Sequence, residues 1–220
     1  MKGLIHPDVP HQAPRYAPWL EPLFKATNLG VFAAMRGIAS TAKVELSPLP
    51  LTDARPALFL AWHRYNYVCA LTLRALPRDA RPTLVMHDGI ASRALTHESS
   101  VWFGFETLVF RRRSPVPPRQ QIIDYVRRTG RSLVVLPDSG GPYGRMKPGT
   151  IEIAEATGAV LVPFTVRAVG TATLGHTLRH VVPLPGCRLS VVFGAPLNVR
   201  EPREATVEDC QRSLDDLERS

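Results

Sequence analysis

Short apolar runs alternate with helical patterns along most of this chain. Unbroken apolar runs predict buried strands at 56–62, 83–86, 107–110, 133–136, 160–166 and 189–193. Apolar positions at helical spacing predict helices from about residue 64 to Leu76 and at 91–103, 118–128, 150–157 and 206–217. Strands that alternate with helices predict a single α/β domain with a mixed, largely parallel sheet flanked by helices.

Helix ends carry their own signals. Gly130 is placed to close the helix at 118–128 as a left-handed cap, and Gly158 ends the helix at 150–157. Thr206 is predicted to cap the last helix at its amino end. The apolar face of that helix is predicted to carry Val207, Cys210, Leu214 and Leu217.

The first fifty residues have a different pattern. Residues 1–22 carry five prolines and predict an irregular arm, and residues 46–55 predict a second Pro-rich connection. Residues 18–42 predict one or two amphipathic helices with basic flanks, which could lie in a bilayer interface or cover the core. We therefore expect an arm and amphipathic segment over 1–50 and an α/β domain over 51–220.

Charge and cysteine content narrow the functional classes. The net charge of +8 and pI near 9.9 favour anionic partners, namely a membrane surface, a phosphorylated small molecule or nucleic acid. The three cysteines lack the spacing of a disulfide framework or zinc site. His176 and His180 could face one another on a helix, but no third metal ligand accompanies them. Without a signal-peptide pattern or a long apolar run, we expect a cytoplasmic protein that meets a membrane only at its surface.

Polar groups gather at the ends of four predicted strands. They are His63, Asp88, Arg111–Arg113 and the loop from Asp138 to Lys147. Open α/β sheets bind ligands at the carboxyl ends of their strands. A histidine there can act as a general base near neutral pH, and a glycine-rich basic loop can approach a phosphate or carboxylate. The alternatives are a structural histidine and a solvated connection.

Two other functional classes fit less well. The Asp138-Ser139-Gly140-Gly141-Pro142 run matches most of the nucleophile motif of chymotrypsin-like proteases. However, Pro137 stands where those proteases have a glycine whose N–H serves the oxyanion hole, and the α/β pattern contradicts an all-β fold. Nucleic-acid binding rests on charge alone, because the arginines are not interleaved with an aromatic platform.

Several motifs, taken in order, resemble those of the lysophospholipid acyltransferase superfamily, and within it a bacterial branch long catalogued as a domain of unknown function. The resemblance covers about residues 56–200. It rests on Ala61-Trp62-His63, Asp88-Gly89, the arginines after Phe110, Pro137-Asp138 through Gly141-Pro142 to Lys147-Pro148-Gly149, Val162-Pro163, Pro183-Leu184-Pro185 and Gly194-Ala195-Pro196.

The resemblance implies an acyltransferase that uses acyl-CoA or acyl carrier protein as co-substrate, with no other cofactor and no metal. It also implies a lysophospholipid-like acceptor and an N-terminal segment resting on the inner face of the membrane. His63 would be the general base. The superfamily's catalytic aspartate follows its histidine after four residues, but Val68 stands there in this chain. Either Asp88 or another carboxylate, Glu106 or Asp138, then orients His63, or His63 works unaided.

The remaining site residues follow from the same resemblance. The catalytic pair is expected to be His63 and Asp88. The substrate-binding residues are expected to be Arg111, Arg113, Asp138, Gly140, Gly141, Arg145 and Lys147. The basic side chains would hold a phosphate, and the amides of the Gly140-Gly141 turn could stabilise developing negative charge. A noncatalytic lipid- or phosphate-binding protein that retains the fold is the alternative, and Val68 is the residue that favours it.

Overall fold

The structure is a computed structural model that describes residues 21–51, 55–89, 100–101, 103–111, 114–138, 141, 143–175, 179–201 and 203–220. The helices in these ranges are α1 Glu21–Thr41, α2 Asn66–Leu73, α3 Pro118–Thr129, α4 Gly149–Thr157 and α5 Arg203–Arg219. Short 3₁₀ turns occupy His63–Tyr65 and Arg78–Ala80. The strands are β1 Lys43–Leu46, β2 Ala57–Leu60, β3 Thr83–His87, β4 Thr107–Phe110, β5 Leu133–Val135, β6 Val160–Leu174 and β7 His180–Phe193.

These strands form one mixed sheet in the order β1-β7-β6-β2-β5-β3-β4. Strands β6, β2, β5, β3 and β4 run parallel to one another, whereas β7 pairs antiparallel with β6 and parallel with β1. The central strand β2 is buried along its whole length, which explains its unbroken apolar sequence. The prediction of an α/β domain with a largely parallel sheet is confirmed.

The hairpin of β6 and β7 is longer than its sequence pattern predicts. Pro163 of β6 is the last residue to pair with β2, yet β6 continues to Leu174, which pairs with His180 of β7. Beyond Val166 most of its side chains are exposed, so the apolar run that marks a buried strand stops there. A register shift next to Gly170, with φ of 73°, bends the ribbon. The hairpin therefore extends past the edge of the sheet where β2 ends.

Other differences lie at the ends of the chain. Strand β1 follows the predicted amphipathic segment at 18–42 and was not predicted, because its four residues are too few and too exposed to give a strand signal. Helix α1 is a single helix that packs through Met35 and Ile38 against the core. Among the described residues, no helix combines the length and apolar character needed to span a membrane. The boundary at residue 50 between the two predicted segments stays a prediction.

The predicted helix caps gave mixed results. Gly130 adopts a left-handed conformation after α3, as predicted, with φ of 66°. Gly158 ends α4 at the predicted place and is also left-handed, with φ of 67°. Thr206 is not a cap, because α5 begins at Arg203. Instead its hydroxyl accepts a hydrogen bond from the backbone N–H of Arg200 and donates to the carbonyl of the same residue. Most of the predicted helix at 91–103 lies outside the described residues. Residues 100–101, which are described, are helical.

Candidate active site

Strand β2 delivers His63 to the carboxyl edge of the sheet. Ala61 and Trp62 continue the strand in buried, extended conformation, and the chain then enters the 3₁₀ turn that leads into α2. The N–H of Tyr65 closes this turn by donating to the carbonyl of Trp62 at 3.0 Å. His63 thus lies partly buried between the end of a core strand and the start of a helix.

Asp138 meets His63 from the end of β5, but it binds the backbone and not the ring. One carboxylate oxygen accepts the backbone N–H of His63 at 3.1 Å. Its other oxygen, Oδ2, is buried and has no hydrogen-bond partner among the described residues. Burial raises the pKa of Asp138 to about 6, against the opposing effects of the His63 N–H and the Lys147 charge. Asp138 therefore anchors the turn that carries His63.

His180, which by its spacing from His176 could have faced that residue on a helix, is the first residue of β7 and contacts His63 directly. The two imidazole rings are 5.2 Å apart between centroids and nearly perpendicular. The ring of Tyr67 packs against His180 in the same way at 5.1 Å. Burial lowers the pKa of His180, and a hydrogen bond with the His63 backbone acts in the opposite direction. The hairpin thus supplies a site residue that the sequence analysis missed.

Electrostatics keep His63 neutral at physiological pH. Burial, followed by the nearby charges of His180 and His87, lowers the pKa of His63 to about 4. Its Nδ1 atom is buried and has no hydrogen-bond partner among the described residues. Val68 is fully buried in α2, so the position that would hold the superfamily's aspartate belongs to the core. A neutral imidazole of this kind can accept a proton.

The open question of the carboxylate partner is narrowed by the fold. Glu106 precedes β4 and so lies at the opposite edge of the sheet from His63. There it accepts a hydrogen bond from the hydroxyl of Tyr125 and pairs with Arg131 at 3.1 Å. Asp88 follows β3 at the same edge as His63, and its backbone N–H donates to the carbonyl of Phe110. The catalytic role of Asp88 stays a prediction.

Arg111 follows β4 with a fixed backbone and a buried guanidinium nitrogen. The side-chain amide of Gln121 accepts the Arg111 N–H at 3.0 Å and donates to the Arg111 carbonyl at 3.1 Å, which fixes the backbone. Nη2 of Arg111 is buried and has no hydrogen-bond partner among the described residues. Arg145 and Lys147 are exposed at the loop after β5. Arg113 and Gly140 lie outside the described residues.

The loop after β5 leaves little freedom at Gly141. Its N–H donates to the Asp138 carbonyl at 2.6 Å, so this amide is already engaged within the loop. A Cβ atom at Gly141 would lie 2.9 Å from the same oxygen. The backbone N–H of Lys147 donates to the carbonyl of Pro137 at 3.1 Å and closes the loop. The amide of Gly141 was expected to stabilise developing negative charge. For that role its N–H would have to leave the Asp138 carbonyl.

An apolar cavity of about 250 Å³ lies beside Tyr67, one side chain away from His180. Helices α1 and α2, strands β3 and β5, and the β6–β7 hairpin contribute its walls. Representative lining residues are Val31, Met35, Ala70, Met86, Leu136 and Val182. The ring of Tyr67 lines this cavity and packs on His180, whose ring contacts His63. Tyr67 and His180 therefore separate the cavity from the candidate base.

A cluster of polar side chains ties the turn at His63–Tyr65 to α5. The Tyr65 hydroxyl donates to Glu218 at 2.8 Å and accepts from the hydroxyl of Thr165 at 3.2 Å. Arg64 lies 3.8 Å from Glu218 and donates to the Tyr143 hydroxyl at 3.2 Å. Burial raises the pKa of Tyr65 to about 12, so its hydroxyl stays a donor.

Among the described residues no group of three or more His, Cys, Asp or Glu side chains could hold a metal ion.

No family model and no curated protein matches the chain in sequence. A solved structure does match in fold, the crystal structure of the 1-acyl-sn-glycerophosphate (LPA) acyltransferase PlsC from Thermotoga maritima. The fold is similar to that of an acyltransferase. The TM-score is 0.55 over 90% of this chain and 81% of that chain. At 12% sequence identity, the acyltransferase-like fold is what the two chains share.

Proposed function

We propose that this protein is an acyltransferase. It moves a fatty acyl group from the thioester of acyl-CoA or acyl carrier protein to a hydroxyl, or an amine, of a lysophospholipid-like acceptor. The observation that carries the proposal is a neutral His63 at the carboxyl edge of the sheet, connected through His180 and Tyr67 to an apolar cavity. The acyltransferase-like fold supports the same activity.

The proposed reaction uses His63 as general base. His63 takes the proton of the acceptor hydroxyl while the hydroxyl oxygen attacks the thioester carbonyl carbon. The C–S bond breaks, the new ester forms, and the departing thiolate takes the proton back from the imidazolium. Arg111, whose buried Nη2 lacks a partner among the described residues, would hold the phosphate of the acceptor or donor, with Arg145 and Lys147 at the rim.

The cavity would hold part of the acyl chain. A cavity of about 150 Å³ accommodates benzene, with its six carbons, so by proportion a cavity of 250 Å³ accommodates roughly ten carbons of chain. Its walls are almost entirely apolar side chains, which suits a hydrocarbon. Tyr67 links the cavity to the histidines, so the thioester of a bound chain would lie near His63.

The acceptor would be reached at a membrane surface, from the cytoplasmic side. Leu23 and Leu29 on α1 are 60% and 62% exposed, so the helix offers apolar side chains to a bilayer interface. The net charge of +8 favours association with anionic headgroups.

Thiol release tests the proposal. Acyl-CoA and acyl carrier protein donors are mixed with lysophospholipid acceptors, and His63→Ala and His63→Gln are compared with the native protein and with Arg128→Ala, an exposed change on α3. We expect acceptor-dependent release that both His63 variants abolish and Arg128→Ala retains. Full turnover by a folded His63→Ala variant would remove His63 from the mechanism.

The noncatalytic alternative has one observation in its favour, since the buried Val68 leaves no aspartate in the superfamily's position. Under that alternative, the protein binds lysophospholipid vesicles but releases no thiol from any donor. Vesicle sedimentation run beside the thiol assay separates the two functions.

A further inference from the structure

His63 needs a group that fixes the direction of its ring. A general base transfers a proton well only when a hydrogen bond to its other nitrogen holds the tautomer. Asp138 does not meet this need, because it accepts the backbone N–H of His63. Val68, buried in the core, cannot meet it either. The buried Nδ1 of His63 therefore has to find its partner elsewhere at the edge of the sheet.

The side chain that packs on the His63 ring is His180. Their centroids lie 5.2 Å apart, and at that separation ring nitrogens that turn toward one another come within hydrogen-bonding range. Nδ1 of His63 and Nδ1 of His180 are both buried, and neither has a hydrogen-bond partner among the described residues. Two adjacent unpartnered ring nitrogens would each carry a desolvation cost that a shared hydrogen bond removes.

Burial lowers the pKa of His180, which favours a neutral ring with a lone pair on one of its nitrogens. Its Nδ1 is buried and has no partner among the described residues, so this nitrogen is the one that can accept a hydrogen bond from His63. A neutral imidazole that donates from Nε2 carries a lone pair on Nδ1. Tyr67 packs on the same ring at 5.1 Å and restrains its rotation. His180 thus has an acceptor nitrogen on a ring held from two sides.

We propose that His180 is the positioning residue of His63. A rotation of the His63 ring would let Nδ1 of His180 accept the Nδ1–H of His63, which leaves Nε2 of His63 as the basic nitrogen. His180 then does with a neutral nitrogen what the superfamily's aspartate does with a carboxylate. The pairing concerns the two imidazoles alone, while its effect on turnover rests on the proposed acyltransferase function.

The pairing is also consistent with the electrostatics of the edge. The groups whose charges act on His63 are His180 from β7 and His87 from β3, while Asp138 from β5 holds its backbone. Both histidine charges disfavour the imidazolium, so the pair is stable as two neutral rings.

Nitrogen-15 NMR of histidine-labelled protein reports the tautomer directly and needs no enzymatic activity. We expect His63 to carry its proton on Nδ1 in the native protein. His180→Phe keeps an aromatic ring but has no acceptor, so His63 should shift toward the Nε2–H tautomer. His180→Asn places an amide oxygen near the position of Nδ1 and should preserve the native tautomer. Arg179→Ala, an exposed change on the neighbouring residue, is the control for disturbance of the hairpin.

Kinetics supply a second readout. We expect His180→Phe to lower kcat by about 100-fold with KM little changed, since orientation of the base matters for the chemical step. His180→Asn should recover most of that loss. If His180→Phe does not fold, His180→Asn is compared with the native protein. A changed His63 tautomer together with a large loss of kcat in His180→Asn would then overturn the pairing.

The outcomes separate the pairing from the proposed function. An unchanged His63 tautomer in His180→Phe, or an Asn variant that behaves like Phe, overturns the pairing even if His63-dependent transfer is present. A tautomer shift in a protein that transfers no acyl group establishes the pairing and refutes the acyltransferase function.

Discussion

Replacing Asp138 with Asn should change how the stability of the protein depends on pH. The folded protein raises the pKa of Asp138 from 3.8 to about 6, chiefly through burial. The folded state therefore binds this proton more tightly than the unfolded chain does. Its contribution to stability is fully present below about pH 4 and is lost as the pH rises through 6.

The magnitude follows from that difference in pKa. About two pH units at 1.36 kcal/mol each give ~3 kcal/mol of stability lost between acidic and neutral pH. Asparagine does not titrate, and its amide oxygen can still accept the backbone N–H of His63. Its amide nitrogen would replace the buried Oδ2, which has no partner among the described residues, and would cost about 1–3 kcal/mol at every pH. Only the first effect varies with pH.

Urea unfolding at several pH values between about 4 and 8 measures both effects. We expect the free energy of unfolding of Asp138→Asn, relative to native, to rise by ~3 kcal/mol across this range. The lowered pKa of His63 acts in the opposite sense, since its stability contribution is lost as pH falls from 6.5 to about 4, so native stability alone should vary less. A difference that stays within about 1 kcal/mol across the range would refute a raised Asp138 pKa.

Three further changes test the cavity, the α5 contact and the glycine caps. Ala70→Phe adds a ring to the cavity wall and should shorten the preferred acyl chain by about six carbons in the thiol-release assay, whereas Ala75→Phe, exposed beyond α2, should not. Glu218→Ala removes the acceptor of the Tyr65 hydroxyl and should lower the free energy of unfolding in urea by about 1–3 kcal/mol, and an equal loss from the exposed Glu208→Ala would contradict this reasoning. Gly130→Ala should lower stability by about 1 kcal/mol because φ is 66° there. Gly37→Ala in α1, where a Cβ atom would meet open space, should raise stability by roughly 0.5–1 kcal/mol. If thermal unfolding shows both variants shifted in the same direction, Gly130 is not the left-handed cap of α3.

The edge of the sheet could be predicted from sequence because each buried strand ends in a visible change from apolar to polar residues. His63 and Asp138 follow such ends, and the parallel arrangement brings the carboxyl ends of β2 and β5 together. The pattern of apolar and polar residues could not show whether Asp138 approaches the ring or the backbone of His63. Asp138 reaches the backbone of His63 and not its ring, and a difference of that kind depends on side-chain geometry.

His180 was missed because its strand has no uniform pattern. The first half of β7 includes Pro183, Pro185 and Gly186, which interrupt the alternation that marks a strand, and only 189–193 is apolar enough to stand out. The projecting hairpin also depends on antiparallel pairing beyond the rest of the sheet, which local sequence does not encode. Contacts such as Tyr65 to Glu218, 153 residues apart, are likewise invisible to a local pattern.

The turn that carries His63 is held by partners far away in the chain. Asp138 is 75 residues distant, Thr165 is 100 residues from Tyr65, and Glu218 is 153. Each contact closes a long loop, whose entropy cost has to be met before the contact forms. Strand β2 meets β5 and β6 across similar separations, so the turn takes its final form together with the central sheet. During refolding, the helices, whose contacts are local, would return first, and the arrangement around His63 would form only when the central strands pair.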